Sequence, residues 1–441
     1  MPEPHSSGMF VFPPSCTLRS MLSTDQRAVQ RVTIALMLAQ SLASAAYSSS
    51  IAVNQLAAVE MTGNKAMGGL PTTVVLAGSA LMAYFAGKLV GRYGRRNVLT
   101  LGGIFGALGS AISGMSVIIG NTLLFFVGLF VLGFARGIME QARYTVAEIN
   151  PPDRRGYALS LVVWGATIGA VGGPLAAPYA SALGLRFGLP YYAGPSFSTA
   201  LIYIITGIVI FVLLRVDLKA LAARVAGGPT QPVAESSQAS SNQSIGRPIF
   251  EVLRTNVAAR TALISMAVGQ ACMVLMMSCI SLHMKDHDHP LTDIAAVISI
   301  HTFGMFFFSP VVGKLTDRYG RRTVILYGAG ILMLGAFLVP VSLNTPVIAF
   351  AEFLVGLGWS GCYVAGSALL TDALGSLERA RLQGANDALV NIGSAVGGLS
   401  SGILLQFVGI WPLAMIGMLV ASVPLIMAIT SSRQPRSATA M

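Results

Sequence analysis

Four of the five histidines in this 441-residue chain, His283, His287, His289 and His301, fall within nineteen residues of one another. Just upstream runs Cys272-Met273-Val274-Leu275-Met276-Met277-Ser278-Cys279, and Met305 follows His301 by four positions. Residues four apart on a helix share a face, so Met273 pairs with Met277 and His301 with Met305. Thioether sulfur and imidazole nitrogen together suit a soft ion, Cu(I), with no need of a carboxylate. The four residues are therefore candidate metal ligands on two consecutive helices. Between them, His283, Met284, His287 and His289 could gather the ion where the two helices are joined, and Cys272 and Cys279 could add thiols. A plainer account competes. With 20 Met in the chain, one i,i+4 pair is ordinary, and Met-rich faces commonly fill gaps in packing. A lone buried His can be a proton site, and a buried Cys is usually an inert small hydrophobe. The co-occurrence of both pairs with a His-rich loop favours metal handling.

The elements that must carry these residues are set by composition. The chain is 54% hydrophobic and only 10% charged, too little charge for the surface of a soluble protein of this length. Twelve runs reach the roughly 20 apolar residues that a membrane span requires. They cover about 31–57, 69–90, 97–118, 121–143, 157–179, 196–216, 258–282, 293–312, 323–343, 346–370, 384–407 and 410–430. Residues 217–257, with Ser-Ser-Gln-Ala-Ser-Ser-Asn-Gln-Ser, have linker composition and split the spans six and six. The expected organisation is a disordered tail over 1–30, a six-helix half over 31–216, the linker, a second half over 258–430 and a tail over 431–441. The first residues hold prolines and serines, without the basic and apolar regions of a signal peptide.

Charge orients the spans. With the N-terminus cytoplasmic, only Lys65, Arg186 and Lys285 of the 28 basic residues fall on the opposite side. Both termini are then cytoplasmic, and the net charge of +11 reflects topology and anionic lipid rather than nucleic acid. Within the spans lie Asn54, Gln55, Arg136, Glu140, Glu352, Asn386, Asp387 and Asn391. Ionisable groups in a membrane default to functional readings, and Asp387 is a candidate proton site. Arg136 and Glu140, spaced i,i+4, can pair with each other. No HExxH, no phosphate loop after a strand and no Ser/His/Asp scaffold points to an enzyme or a bound cofactor.

One stretch occurs twice. Gly-Lys-Leu-Val-Gly-Arg-Tyr-Gly-Arg-Arg at 87–96 returns as Gly-Lys-Leu-Thr-Asp-Arg-Tyr-Gly-Arg-Arg at 313–322, eight of ten positions identical. Thr-Ile-Gly-Ala-Val-Gly-Gly at 167–173 is likewise echoed by Asn-Ile-Gly-Ser-Ala-Val-Gly-Gly at 391–398. The basic turns cannot sit in hydrocarbon, where Lys or Arg costs about 2.5–3.5 kcal/mol, so they are hairpins at the membrane surface. The pattern resembles the signature loop of the major facilitator superfamily, carried here by Gly87, Arg92, Gly94, Arg95 and Arg96 and by Gly313, Asp317, Arg318, Gly320, Arg321 and Arg322. The first copy has Gly91 where the family usually has Asp. The resemblance, over about residues 30–430, implies an all-α fold of twelve transmembrane helices in two pseudo-symmetric six-helix halves. It further implies secondary active transport by alternating access, and a proton-coupling role for Arg136.

Within that superfamily, M-x-x-x-M in span seven followed by H-x-x-x-M in span eight resembles the CcoA-type bacterial copper importers. The resemblance implies import of copper as the transported substrate through Met273, Met277, His301 and Met305. It also implies residence in the bacterial inner membrane, delivery to a cytoplasmic copper-accepting protein, and a monomer. Riboflavin transporters are similar in overall sequence, so a carrier of riboflavin, a drug or another small organic molecule is the alternative. A metal receptor that does not transport is the third reading.

Overall fold

A computed structural model of the protein describes residues 15–150, 155–215, 218, 220–221, 254–374 and 376–432. Almost all of the expected linker, and residues 1–14 and 433–441 of the expected tails, lie outside the described residues. Hydrocarbon offers backbone groups no water, so a spanning segment must satisfy its own hydrogen bonds as a helix. The described regular elements are all helical, and twelve helices are long and apolar enough to cross a membrane.

Span one is Ser15–Thr62, joined through the short 3-10 helix Lys65–Gly69 to span two, Leu70–Tyr93. Spans three to six are Arg95–Ile119, Thr122–Met139, Arg155–Arg186 and Ala193–Leu213, with a further helix, Gln141–Ile149, after the fourth. The second half opens with span seven, Val257–Asp286. Span eight comes in two pieces, Leu291–Phe306 and Ser309–Tyr319. Spans nine to twelve are Arg321–Leu338, Thr345–Asp372, Ser376–Val408 and Ile410–Ser432.

Two boundaries differ from expectation for local reasons. Residues 15–30 are helical, not a disordered tail: no Gly or Pro occurs between Pro14 and Gly63, so nothing stops span one from extending backwards. Span eight is broken at Phe307–Phe308 because Pro310, in the first turn of its second piece, lacks the N–H that would continue the ladder.

The internal repeat is visible as packing. A Cβ on Gly169 or Gly173 of span five would strike the backbone of Ser41 or Ala45 in span one. In the second half, Gly393 and Gly397 of span eleven meet Ala267 and Ala271 of span seven in the same way. Both signature turns pivot on a glycine with positive φ, Gly94 at 80° and Gly320 at 91°, where a side chain would be strained. In each, an arginine lies 5.4 Å from the next tyrosine ring, Arg92 over Tyr93 and Arg318 over Tyr319.

The turns differ in the residues at their acidic positions. Arg321 sits 3.2 Å from Asp317 and 2.8 Å from Asp372. Shifting back by the 226-residue repeat puts Gly91 and Val146 at those two acidic positions. Arg95 instead bonds Thr145 Oγ1 at 3.4 Å, and Arg96 donates to the Phe211 carbonyl at 2.8 Å.

Three described polar contacts cross between the halves, all at the end away from the signature turns. Lys65 Nζ meets Asp286 at 2.8 Å, the Ala66 amide donates to Gln406 Oε1 at 2.7 Å, and Thr73 Oγ1 donates to the Ala395 carbonyl at 3.2 Å. Gly69 makes this meeting close, since its missing Cβ would overlap the Gly398 carbonyl. Gly69→Val should therefore hold this end apart. Disulfide trapping of a K65C/D286C pair, read by gel shift, is expected to fall several-fold when Val replaces Gly69.

Candidate functional site

The halves enclose a central cavity of about 340 Å³ on the signature-turn side of these pins. Its first-half wall carries Gln40, Ser44 and Tyr47 of span one, Arg136 of span four with Glu140 just beyond it, and Tyr203 of span six. The second-half wall carries Gln270, Met273 and Met277 of span seven, Thr302, Met305 and Phe306 of span eight, and Ser394 of span eleven.

The walls differ in chemistry. On the first, the Arg136 guanidinium lies 4.4 Å from the Tyr47 ring and its Nε is 3.9 Å from Glu140 Oε1, too long for a hydrogen bond. That Nε is buried and has no hydrogen-bond partner among the described residues. The second wall is soft and largely apolar, backed by one polar strip. Trp359 Nε1 donates to Gln270 Oε1 at 2.6 Å, and Gln270 Nε2 donates to Ser394 Oγ at 2.9 Å. Phe306 stands edge-on to Trp359 at 5.8 Å, and Tyr363 stacks behind Trp359 at 4.9 Å.

Of the candidate metal ligands, the structure brings Met273, Met277 and Met305 to this one cavity. His301 does not line it. The imidazole is fully buried with Nδ1 2.8 Å from Glu352 Oε2 and 3.0 Å from the Glu352 carbonyl. Cys272 and Cys279 turn away as well, their thiols donating to the carbonyls of Gly417 at 3.3 Å and Met276 at 3.1 Å.

The His-rich segment is not gathered round a point either. His283 and His287 pack ring to ring at 4.5 Å, with His287 Nδ1 2.9 Å from the His283 carbonyl. Met284 is fully buried, and His289 contacts Thr345 Oγ1 at 3.2 Å and Asp293 at 3.7 Å. Among the described residues, no three His, Cys, Asp or Glu side chains form a group that could hold a metal ion. Of the candidate proton sites, Arg136 lines the cavity, whereas Asp387 is exposed on span eleven and does not.

Tyr47, Tyr203, Gln270 and Phe306 are the lining residues that motif reading passes over. Gln270, Met273 and Met277, spaced i, i+3, i+7, form one helical stripe, and a polar residue starting an otherwise apolar stripe was the available signal. The aromatic residues carry no local signal, because their relevance depends on which helices meet.

Two six-helix halves that meet around a central, mixed polar and apolar cavity define a membrane carrier. The chain belongs to the Major Facilitator Superfamily, whose profile matches residues 36–290 and 261–440, and it is a multi-pass transporter of that family. It is 30% identical over 91% of its length to the uncharacterised MFS-type transporter YdeG of Bacillus subtilis, of which 93% is covered. It is 26% identical to the riboflavin transporter RfnT of Brucella anthropi, covering 83% of this chain and 87% of that one. The fold is similar to that of the nucleoside transporter NupG, with TM-score 0.64, 16% identity and coverage of 90% and 98% of the two chains.

Gln270→Leu should orphan Trp359 Nε1, whereas the Ser394 hydroxyl keeps its bond to the Val390 carbonyl. The expected cost is about 1–3 kcal/mol, measured as a lower unfolding midpoint of the purified protein in detergent, whereas Gln270→Glu keeps the acceptor and should cost less.

Proposed function

We propose that this protein carries a planar organic solute with a hydrogen-bonding edge, of the flavin kind, by alternating access between its two halves. The observation that supports this most directly is the two-faced cavity. Met273, Met277, Met305 and Phe306 offer a polarisable surface for an aromatic ring system. Gln270, Tyr47 and Tyr203 offer donors and acceptors for a polar edge, and Arg136 adds a cation with a free Nε. The likeness to RfnT agrees with this reading, as does 24% identity over 75% of the chain to the multidrug resistance protein MdtG of Dickeya zeae. The reading takes the membrane to be the bacterial cytoplasmic one, with both termini inside, from the Lys and Arg distribution.

Copper import has one specific observation in its favour, the three thioethers in the cavity. It loses the imidazole to Glu352 and the thiols to backbone carbonyls, which leaves thioethers alone to hold an ion. The two readings separate cleanly. Volume-conserving Met273→Leu and Met277→Leu keep the apolar wall and remove the sulfurs.

The test is uptake of radiolabelled riboflavin by riboflavin-auxotrophic bacteria that lack their own carrier. The wild-type chain should raise uptake several-fold over empty vector. Tyr203→Ala and Phe306→Ala should lower it about tenfold, the size of one lost contact of ~1.4 kcal/mol, and the Met→Leu pair should leave it within about twofold. Absence of riboflavin uptake, together with copper uptake that collapses in the Met→Leu pair, would reverse the two readings.

A further inference from the structure

The central cavity has a side branch of about 180 Å³ that runs from the first wall toward span five. Gln40, Ser44, Glu140 and Phe306 line both the cavity and the branch, whereas Val162 and Thr167 of span five line the branch alone. Close contact beside the branch fixes its width. A Cβ on Gly165 or Gly169 of span five would strike Met37 or Ser41 of span one, the turn that carries Gln40 and Ser44. Spans one and five therefore touch at these glycines, and the branch is the gap left alongside.

The polar groups of the branch have a pattern. Gln40 Oε1 is buried and has no hydrogen-bond partner among the described residues. Buried polar atoms are rarely left so, and each case calls for an explanation. Ser44 lies on the same face of span one, about 6 Å further along the axis. The Gln40 amide nitrogen donates, the hydroxyls of Ser44 and Thr167 can both donate and accept, and the Glu140 carboxylate accepts. An occupant that satisfies this set must itself donate and accept.

Charge narrows the occupant further. Arg136 Nε lies 3.9 Å from Glu140 Oε1, so this corner of the cavity carries one charge of each sign and no net charge. An ammonium entering the branch would be attracted by Glu140 and repelled by Arg136, and a carboxylate or phosphate would meet the reverse. Either would also give up its hydration without a net opposite charge to offset the loss. A purely alkyl arm would leave Gln40 Oε1 as unpaired as before. A hydroxyl donates, accepts and carries no charge.

We infer that the branch is a subsite for a neutral, hydroxylated arm of the transported solute, and that Gln40 and Ser44 are its specificity-determining residues. Phe306 borders both spaces. A ring system lying against Phe306 and the methionine wall thus sends a substituent on its edge past Gln40 toward span five. One hydroxyl of that arm donates to Gln40 Oε1, and a second, further along the chain, bonds Ser44 Oγ. The inference rests on the flavin reading given above and extends it from the ring to the substituent.

The test compares riboflavin, whose ring carries a polyhydroxyl chain, with lumiflavin, in which a methyl group replaces that chain on the same ring. Purified protein in lipid nanodiscs is titrated with each, and binding is followed by quenching of flavin fluorescence. The wild type should bind riboflavin about tenfold more tightly, the size of one or two net hydrogen bonds. Gln40→Leu combined with Ser44→Ala should bring the ratio to within about twofold by weakening riboflavin alone, and lumiflavin binding by the same variant reports that it is folded. Tyr203→Ala, on the ring side, should weaken both flavins and keep the ratio near tenfold (about 1.4 kcal/mol). Carboxymethylflavin and aminoethylflavin, whose arms are charged, should bind the wild type no more tightly than lumiflavin. Equal wild-type affinity for riboflavin and lumiflavin would overturn the inference and leave the flavin reading in place. So would an unchanged ratio in the double variant, or a charged-arm flavin that binds more tightly than riboflavin. Should the double variant fail to bind lumiflavin, the wild-type comparison of the four flavins still decides. Saturable binding of neither riboflavin nor lumiflavin would remove the flavin reading, and this inference with it.

Discussion

The structure depends on one constraint: in hydrocarbon, a polar group must find its partner within the protein. Backbone groups find theirs in helices, which is why the described fold has helices and turns. Lysines and arginines other than Arg136 mostly leave for the surface, several of them in the two signature turns. Of the polar side chains that remain inside, some are paired, as His301 is with Glu352, and others face the cavity between the halves. Arg136, Glu140, Gln270 and the tyrosines occupy an intramembrane place where unpaired hydrogen-bonding capacity is tolerable: a space that water or a solute can enter.

This constraint also explains what could be read from the chain in advance. Span number, the six-and-six division and the surface position of the basic turns follow from hydropathy and charge, because lipid imposes them segment by segment. The glycine echo at 167–173 and 391–398 is legible for the same reason, since close helix approach needs small residues wherever the repeat places it. The start of the first helix is harder to read, because Ser and Pro near residue 1 colour the composition while the prolines stop at Pro14. Likewise, a hydropathy window sees span eight as one run, and only Pro310 marks its break.

The side-chain constellation was legible only in part. Met273 and Met277 do share a face, and that face does meet the cavity, because i,i+4 spacing is a local property of one helix. His301 and Met305 have the same spacing, yet the boundary between two neighbours falls between them: Met305 meets the cavity and His301 meets span ten. Gly304 and Gly356 set that boundary by letting the two helices touch. The partner, Glu352, is 51 residues away, and no spacing rule reaches it. Cys272, one residue before the Met pair, is rotated onto the face against span twelve. A cluster in sequence is thus distributed by helix geometry over three different neighbours.

The asymmetry of the signature turns bears on how the halves move. In the second half, Arg321 bridges Asp317 and Asp372, tying the turn to the end of span ten. In the first half both acidic positions are apolar or bare, Gly91 and Val146, and the corresponding arginine makes a long hydrogen bond to Thr145. Exposed ion pairs contribute little individually, so the difference lies less in stability than in what must be broken for the turn to separate from its neighbour. At the signature-turn end Arg321 braces the second half, whereas the Lys65–Asp286 end is braced across the halves. Because the cavity walls come from both halves, any solute that touches both is sensitive to their separation. Binding and rocking are then one coordinate, and a solute shifts the balance by the difference in its contacts between the two arrangements.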